Sequence, residues 1–105
     1  MKFGQKINEL RTKKGLTLEQ LAQATGSSKS YIWELENKNP PRPSAEKLAE
    51  IAKALEVTTD YLIGRDQTLQ EAEDIAFFRD YSGLPEPTRR KIRDMAKILG
   101  KSDPE

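Results

Sequence analysis

"LTLEQLAQATGSSKSYIWELE" (residues 16–36) contains two helix starts separated by one sharp stop. Thr17 and Gln20 make a T-x-x-Q capping box, which opens a helix whose stripe is Leu18, Leu21, Ala22 and Thr25. Gly26 ends it, because a sharp turn asks for a positive φ, and Ala22 is small enough for two helices to approach closely. Ser27 or Ser28 then caps another helix with Ile32 and Leu35 on its inward face. A helix, a short turn carrying glycine and a second helix describe a helix-turn-helix. An αα-hairpin of the same form with no DNA to bind stands as the alternative.

On the N-terminal side, Phe3, Ile7 and Leu10 repeat at helical spacing until Gly15, with Lys13 and Lys14 in the last turn where the dipole favours cations. On the other side, "NKNPPRP" (37–43) forbids continuation, because its prolines lack the amide a helix needs. Ser44 caps a fourth helix with Leu48, Ile51, Ala52 and Leu55 inward, and "TTDYLIG" (58–64) is a short fifth stopped by Gly64. No segment alternates with period two as a strand would. The expected class is all-α, with residues 1–64 enclosing a core of Phe3, Ile7, Leu10, Leu16, Leu21, Ile32, Leu35, Leu48, Ile51, Leu55 and Leu62. Residues 65–105 form a two-helix extension. Thr68 and Glu71 open its first helix as a capping box, with Leu69, Ala72, Ile75, Phe78 and Tyr81 following. Leu84-Pro85 opens the second, with Ile92, Met95, Ala96 and Leu99, ended by Gly100; "KSDPE" (101–105) is expected to fray.

With 105 residues the chain holds one small domain, or one plus an appendage. Hydrophobic residues make up 35% and charged residues 33%, a soluble globular balance, and no apolar run approaches the ~20 residues of a membrane span. Met1 to Asn8 lacks a secretory h-region, so the expected location is the cytoplasm. Neither Cys nor His is present, which removes thiolate chemistry, disulfides and the commonest metal ligand and general base. No spaced carboxylate pair replaces them, so neither an enzyme nor a metal or cofactor site is expected. The net charge of +1 gives a nucleic-acid reading no help, but its distribution is uneven. Residues 65–86 hold two Lys/Arg against six Asp/Glu, and residues 87–105 hold six against three.

The order and spacing of LxxLA, Gly26, the YIxxLE run, Pro43-Ser44, LxxIAxAL and DYLIG resemble the Xre/Cro/C1 helix-turn-helix domain of phage repressors and bacterial regulators, over about residues 3–64. The resemblance implies a five-helix, lambda-repressor-like domain that binds double-stranded DNA as a homodimer, with its third helix in the major groove, and that usually represses transcription.

Helical geometry says which side chains are available for this. Opposite Ile32 and Leu35, at 100° per residue, lie Lys29, Ser30, Trp33, Glu34 and Asn37. Similarity to the family carries base reading to Lys29, Ser30 and Glu34. Lys29 suits guanine O6/N7 and Glu34 suits cytosine N4; for Glu34 an intrahelical pair with Lys38 is the plain alternative. Tyr31 is expected to have a mixed role beside the base contacts, its ring at the core edge and its hydroxyl reaching a phosphate. Trp33 points away from the stripe, either to a thymine methyl or sugar, or under the proline loop. Phosphate contacts are expected from Thr17, Gln23, Asn37, Lys38, Asn39 and Arg42. The resemblance also implies a structural ion pair between Arg11 and Glu36. One departure is Leu18, where many relatives carry a glutamine bridging a phosphate and the start of the third helix.

One short helix reads only a few base pairs, so two units are needed to stand out against ~10⁶ or more competing sites. Ile75, Phe77, Phe78, Tyr81, Ile92, Met95 and Leu99 are the expected dimer interface, since a helix bearing "FFRDY" (77–81) is too short to bury both phenylalanines internally. The acidic sixth helix and the basic "RRKIR" (89–93) also suit one another, within or between chains. A second reading gives those helices a protein partner, either a toxin neutralised by the chain or a metallopeptidase that cuts it.

Overall fold

The computed structural model describes residues 2–102. Seven helices and no strand occur among them: α1 Phe3–Lys13, α2 Leu18–Ala24, α3 Lys29–Asn37, α4 Ala45–Ala54, α5 Thr59–Leu62, α6 Leu69–Ser82 and α7 Glu86–Ser102. The all-α class and the sequence of five short helices followed by two longer ones agree with the sequence reading. Five of the starts are side-chain caps in which Thr17, Ser28, Ser44, Thr58 or Thr68 accepts a hydrogen bond from the amide three residues on. Ser28, rather than Ser27, caps α3.

The turn between α2 and α3 is a Schellman stop. Ser27 N–H donates to Ala22 O at 2.8 Å and Gly26 N–H to Gln23 O at 3.3 Å, with Gly26 at φ +62°. The end of α4 has the same pair of bonds, Val57 to Ala52 at 3.0 Å and Glu56 to Lys53 at 3.2 Å, but the left-handed position is Glu56, at φ +58°. A residue with a Cβ is strained there. Glu56→Gly is therefore expected to stabilise the fold by about 0.5–1 kcal/mol, net of the exposed ion pair with Lys14. An upward shift of the urea midpoint checks it.

Ile7, Leu21, Ile32, Leu35, Ile51, Leu55 and Leu62 are all but fully buried, as the periodicity requires, and Leu10 and Leu48 lie in the same cluster. Phe3 and Leu16 pack only at its edge. Val57 and Thr25, absent from the expected core, are fully buried. Thr25 is tolerated inside because its hydroxyl donates to Leu21 O at 2.8 Å. From α4, the Lys47 ammonium donates to Thr25 O, which fixes the helix-turn-helix turn against a third helix. Gly4 shows how closely α1 lies on α3. A Cβ built there would come within 2.4 Å of Leu35 O and 2.9 Å of Glu36 O. Gly4→Ala is expected to cost about 1–3 kcal/mol by forcing the two helices apart, measured by thermal unfolding; unchanged stability would contradict the close approach.

Ala72 and Ala76 turn the inner side of α6 onto the body, Ala72 as part of the core cluster, and Arg79 Nη1 donates to Val57 O at 3.1 Å. From Glu86 to Lys101, every residue of α7 except Arg89 and Ile92 is exposed. The molecule is accordingly long, 48 × 28 × 24 Å, with a radius of gyration of 16.0 Å, against about 13 Å for a compact chain of this size. Tyr81 ties α7 to α6, accepting from Arg93 Nη1 at 2.8 Å and donating to Arg89 O at 3.3 Å. Two expectations are corrected here. Gly100 does not end α7, which continues through Lys101 and Ser102, because a glycine weakens a helix without forbidding it; the rest of the expected frayed end, residues 103–105, lies outside the described residues. Among the described residues, no ion pair within the chain joins a cation of α7 to an acidic residue of α6. Arg89, Arg90 and Arg93 reach Glu86 of their own helix at 2.7, 3.6 and 3.1 Å, and the hydrogen bonds from Arg89 and Arg93 hold that carboxyl below its ordinary range.

Candidate nucleic-acid interface

The inward anchors Ile32 and Leu35 fix the rotation of α3, so the remaining side of the helix faces out. Lys29, Ser30, Trp33 and Glu34 line one shallow concavity on that side, and Asn37 is exposed a turn further on. Trp33 is 44% exposed. Its carbonyl accepts from Asn37 Nδ2 at 2.9 Å, and the Lys38 ammonium stands 5.6 Å from its ring centroid. Lys38 is thus placed over the indole, and no ion pair joins it to Glu34 among the described residues. Tyr31 is half-buried with its ring against the core.

The expected phosphate ligands occupy the rims. Thr17 and Gln23 are exposed on α2, the hydroxyl of Thr17 accepting from Gln20 N at 3.0 Å. Beyond α3, Asn37, Lys38, Asn39 and Arg42 are all exposed. Asn39 has φ +49°, a conformation asparagine tolerates, and the Arg42 guanidinium lies 5.8 Å from the Phe3 ring centroid. These contacts set the shape of the loop that follows the helix. Leu18 is half-buried and provides no polar group at the start of α2. Its neighbour Glu19 does: Glu19 Oε1 lies 3.5 Å from Lys29 Nζ across the two helices. The sequence reading missed Glu19, because residues ten apart on different helices carry no local spacing signal.

Arg11 and Glu36 join α1 to the end of α3. Arg11 Nε donates to Glu36 Oε2 at 2.7 Å and Nη2 to Oε1 at 3.0 Å, while Nη1 donates to Leu16 O at 2.9 Å. Asn8, also missed from sequence, donates to Glu36 Oε1 at 2.8 Å. The Glu36 side chain is 2% exposed, so this fork is a desolvated, fully bonded pair. The hydrogen bond to Glu36 raises the Arg11 pKa still further above its ordinary value, although burial opposes it.

A second surface lies away from α3. Ile75, Phe77 and Phe78 on α6, and Met95, Ile98 and Leu99 on α7, are exposed, the phenylalanines by more than 60%. Ile98 was not among the expected contact residues. Tyr81 and Ile92 are half-buried, Tyr81 stacking on Phe77 at 6.0 Å. Small alanines on one side of α6 and large apolar residues on others make it a helix suited to burial on both sides.

A family model described as helix-turn-helix matches residues 7–62. The HTH-type transcriptional regulator SinR of Bacillus licheniformis is 33% identical over 67 residues, covering 63% of this chain and 60% of that protein. The immunity repressor protein of Bacillus phage phi105 is 28% identical over 104 residues, covering 98% of this chain and 68% of the repressor. The match thus spans about three fifths to two thirds of these relatives' own length. Among solved structures, SinR in complex with DNA has a TM-score of 0.56 at 32% identity, covering 59% of this chain and 98% of that one. A SinR–SinI complex has the same TM-score of 0.56 at 29% identity, covering 96% of this chain and 99% of that one.

Proposed function

Because the chain belongs to the helix-turn-helix family, whose relatives here are DNA-binding transcriptional regulators and repressors, we propose that it is a cytoplasmic, sequence-specific repressor that binds a palindromic operator as a homodimer. Residues 1–64 are the DNA-binding unit, with α3 in the major groove, and residues 65–105 are the dimerisation element. Lys29, Ser30 and Glu34 read base edges, with Trp33 beside them as an apolar contact and Tyr31 at the groove edge. Thr17, Gln23, Asn37, Lys38, Asn39 and Arg42 position the helix on the phosphates. The observation that carries this reading is the outward cluster of Lys29, Ser30, Trp33 and Glu34 on a helix whose other side is locked by Ile32 and Leu35. The phage immunity repressor, matching along 98% of the chain, supports the reading as a repressor.

Selection of bound fragments from random duplexes at two salt concentrations tests it. A palindrome with half-sites ~34–36 Å apart is expected; equal binding to all duplexes at moderate salt would defeat the proposal. Replacing Phe77 and Phe78 with glutamate is expected to leave the helices intact, because both rings are exposed, and to give a monomer by ultracentrifugation. Operator affinity then falls by about 10²-fold as the linkage between half-sites is lost.

A protein partner on the same α6–α7 face is the second reading, favoured by its exposed apolar residues and by the full-length likeness to SinR in a complex with SinI. The partner would be a toxin or a metallopeptidase. Loss of partner binding with DNA binding retained, on truncation after Gly64, is the result that would favour it.

A further inference from the structure

Trp33, the chain's only tryptophan, lines the same concavity as Lys29, Ser30 and Glu34. Lys29 and Ser30 precede it by four and three residues, which sets them beside the indole on one side of α3. Ile32 and Leu35 are all but fully buried while Trp33 is 44% exposed, so a large part of the indole residue is left open on the outward side. The Lys38 ammonium, 5.6 Å from the ring centroid, favours one seat for the ring. An apolar ring set between an ammonium and a carboxylate gains by burial only when something apolar arrives. Among the groups that distinguish base pairs in the major groove, the C5-methyl of thymine is the apolar one, and the others are hydrogen-bond donors and acceptors. Against those the indole has a single N–H to offer, and a ring laid over the rest would strip their water and leave them unpaired. Deoxyribose is less polar than a phosphate but lies with the phosphates, where Asn37, Lys38 and Asn39 form the rim. Trp33 shares its concavity with the base-reading side chains instead.

Resting on the reading of α3 as the groove helix, we infer that Trp33 is a specificity-determining residue whose ring packs on the C5-methyl of one thymine in each half-site. The group recognised is the methyl rather than the base. A 5-methylcytosine at the same place presents the same group to the groove, so cytosine methylation there strengthens binding relative to plain cytosine.

The selected operator is rebuilt with uracil in place of each thymine in turn, a change that removes one methyl and keeps every donor and acceptor of the pair. At one position in each half-site, binding of the full-length chain is expected to weaken by about 4-fold, the effect of one methyl-sized group no longer buried. At that position 5-methylcytosine should bind better than cytosine by a similar factor. Trp33→Ala binds the uracil and thymine operators alike, whereas Gln23→Ala, a change on the exposed side of α2, weakens binding and keeps the difference between them. With 5-bromouracil at the position, bromine takes the place of the methyl, and binding quenches the emission of the sole tryptophan more than the thymine operator does. A methyl effect that survives Trp33→Ala, or bromine that adds no quenching, overturns the inference. Should Trp33→Ala fail to fold, the uracil series and the quenching, both on the unaltered chain, still decide. Equal binding of uracil and thymine at every position, with sequence preference intact, overturns this inference alone. An unaltered chain with no sequence preference overturns the groove reading and this inference together.

Discussion

Replacing Lys29 and Glu34 together with alanine is expected to erase sequence preference while leaving the thermal midpoint and the oligomeric state where they were. Both side chains are exposed and neither contributes to the core, so folding has little to lose. Recognition has much to lose, since two base contacts of about 1–3 kcal/mol each amount to roughly 2–6 kcal/mol of discrimination if they act independently. The single variants should differ in kind. Lys29→Ala removes a cation from a phosphate-rich surface, so affinity falls for every duplex, and most for the selected one. Glu34→Ala removes an anion that repels phosphates everywhere and is useful only opposite a cytosine amine, so nonspecific affinity rises as selectivity drops. Parallel titrations of the selected and random duplexes measure all three. Preference retained by the double variant would mean that Lys29 and Glu34 do not carry the base reading.

The second large effect is on stability. Glu36→Ala strands the Arg11 guanidinium, which has 13% of its side chain exposed and would keep only Leu16 O as a partner, and it also takes the acceptor from Asn8. Removing one member of a buried pair costs about 3–5 kcal/mol, which at about 4 °C per kcal/mol or more for a domain of this size lowers Tm by at least ~12 °C. The fork also joins α1 to the last turn of α3, just before Asn37 and Lys38, so operator affinity should fall along with stability. Arg11→Met combined with Glu36→Leu removes both charges, and is expected to recover most of the loss. A loss below about 1 kcal/mol in the single variant, or a double variant no more stable than it, would show that water still solvates the fork.

Much of the scaffold was legible in the chain because its signals are local. Thr17 with Gln20, Ser44 and Thr68 with Glu71 cap helices through bonds three residues long. Gly15, Gly26 and Gly64 stop helices through their own backbone. Ile32 and Leu35 fix the rotation of α3, so the outward set of Lys29, Ser30, Trp33 and Glu34 follows from 100° per residue. Local rules failed where a position has more than one acceptable continuation. Gly100 was a plausible stop and is helical, because a glycine weakens a helix without forbidding it. Glu56 occupies a left-handed position where glycine was the expected signal, so that turn could not be recognised in advance.

Residues three or four apart report their shared surroundings, and from them came the helix starts, most of the stops and the inward stripes of α1 to α5. The partnerships between helices came from their assembly: Glu19 with Lys29, Asn8 with Glu36, Lys47 with the Thr25 carbonyl, and Gly4 against the carbonyls of Leu35 and Glu36. The assembly also shows that α6 buries its alanines and presents its phenylalanines. Each of these contacts depends on the distance and crossing of two helices, and no periodicity within one helix encodes where another will lie.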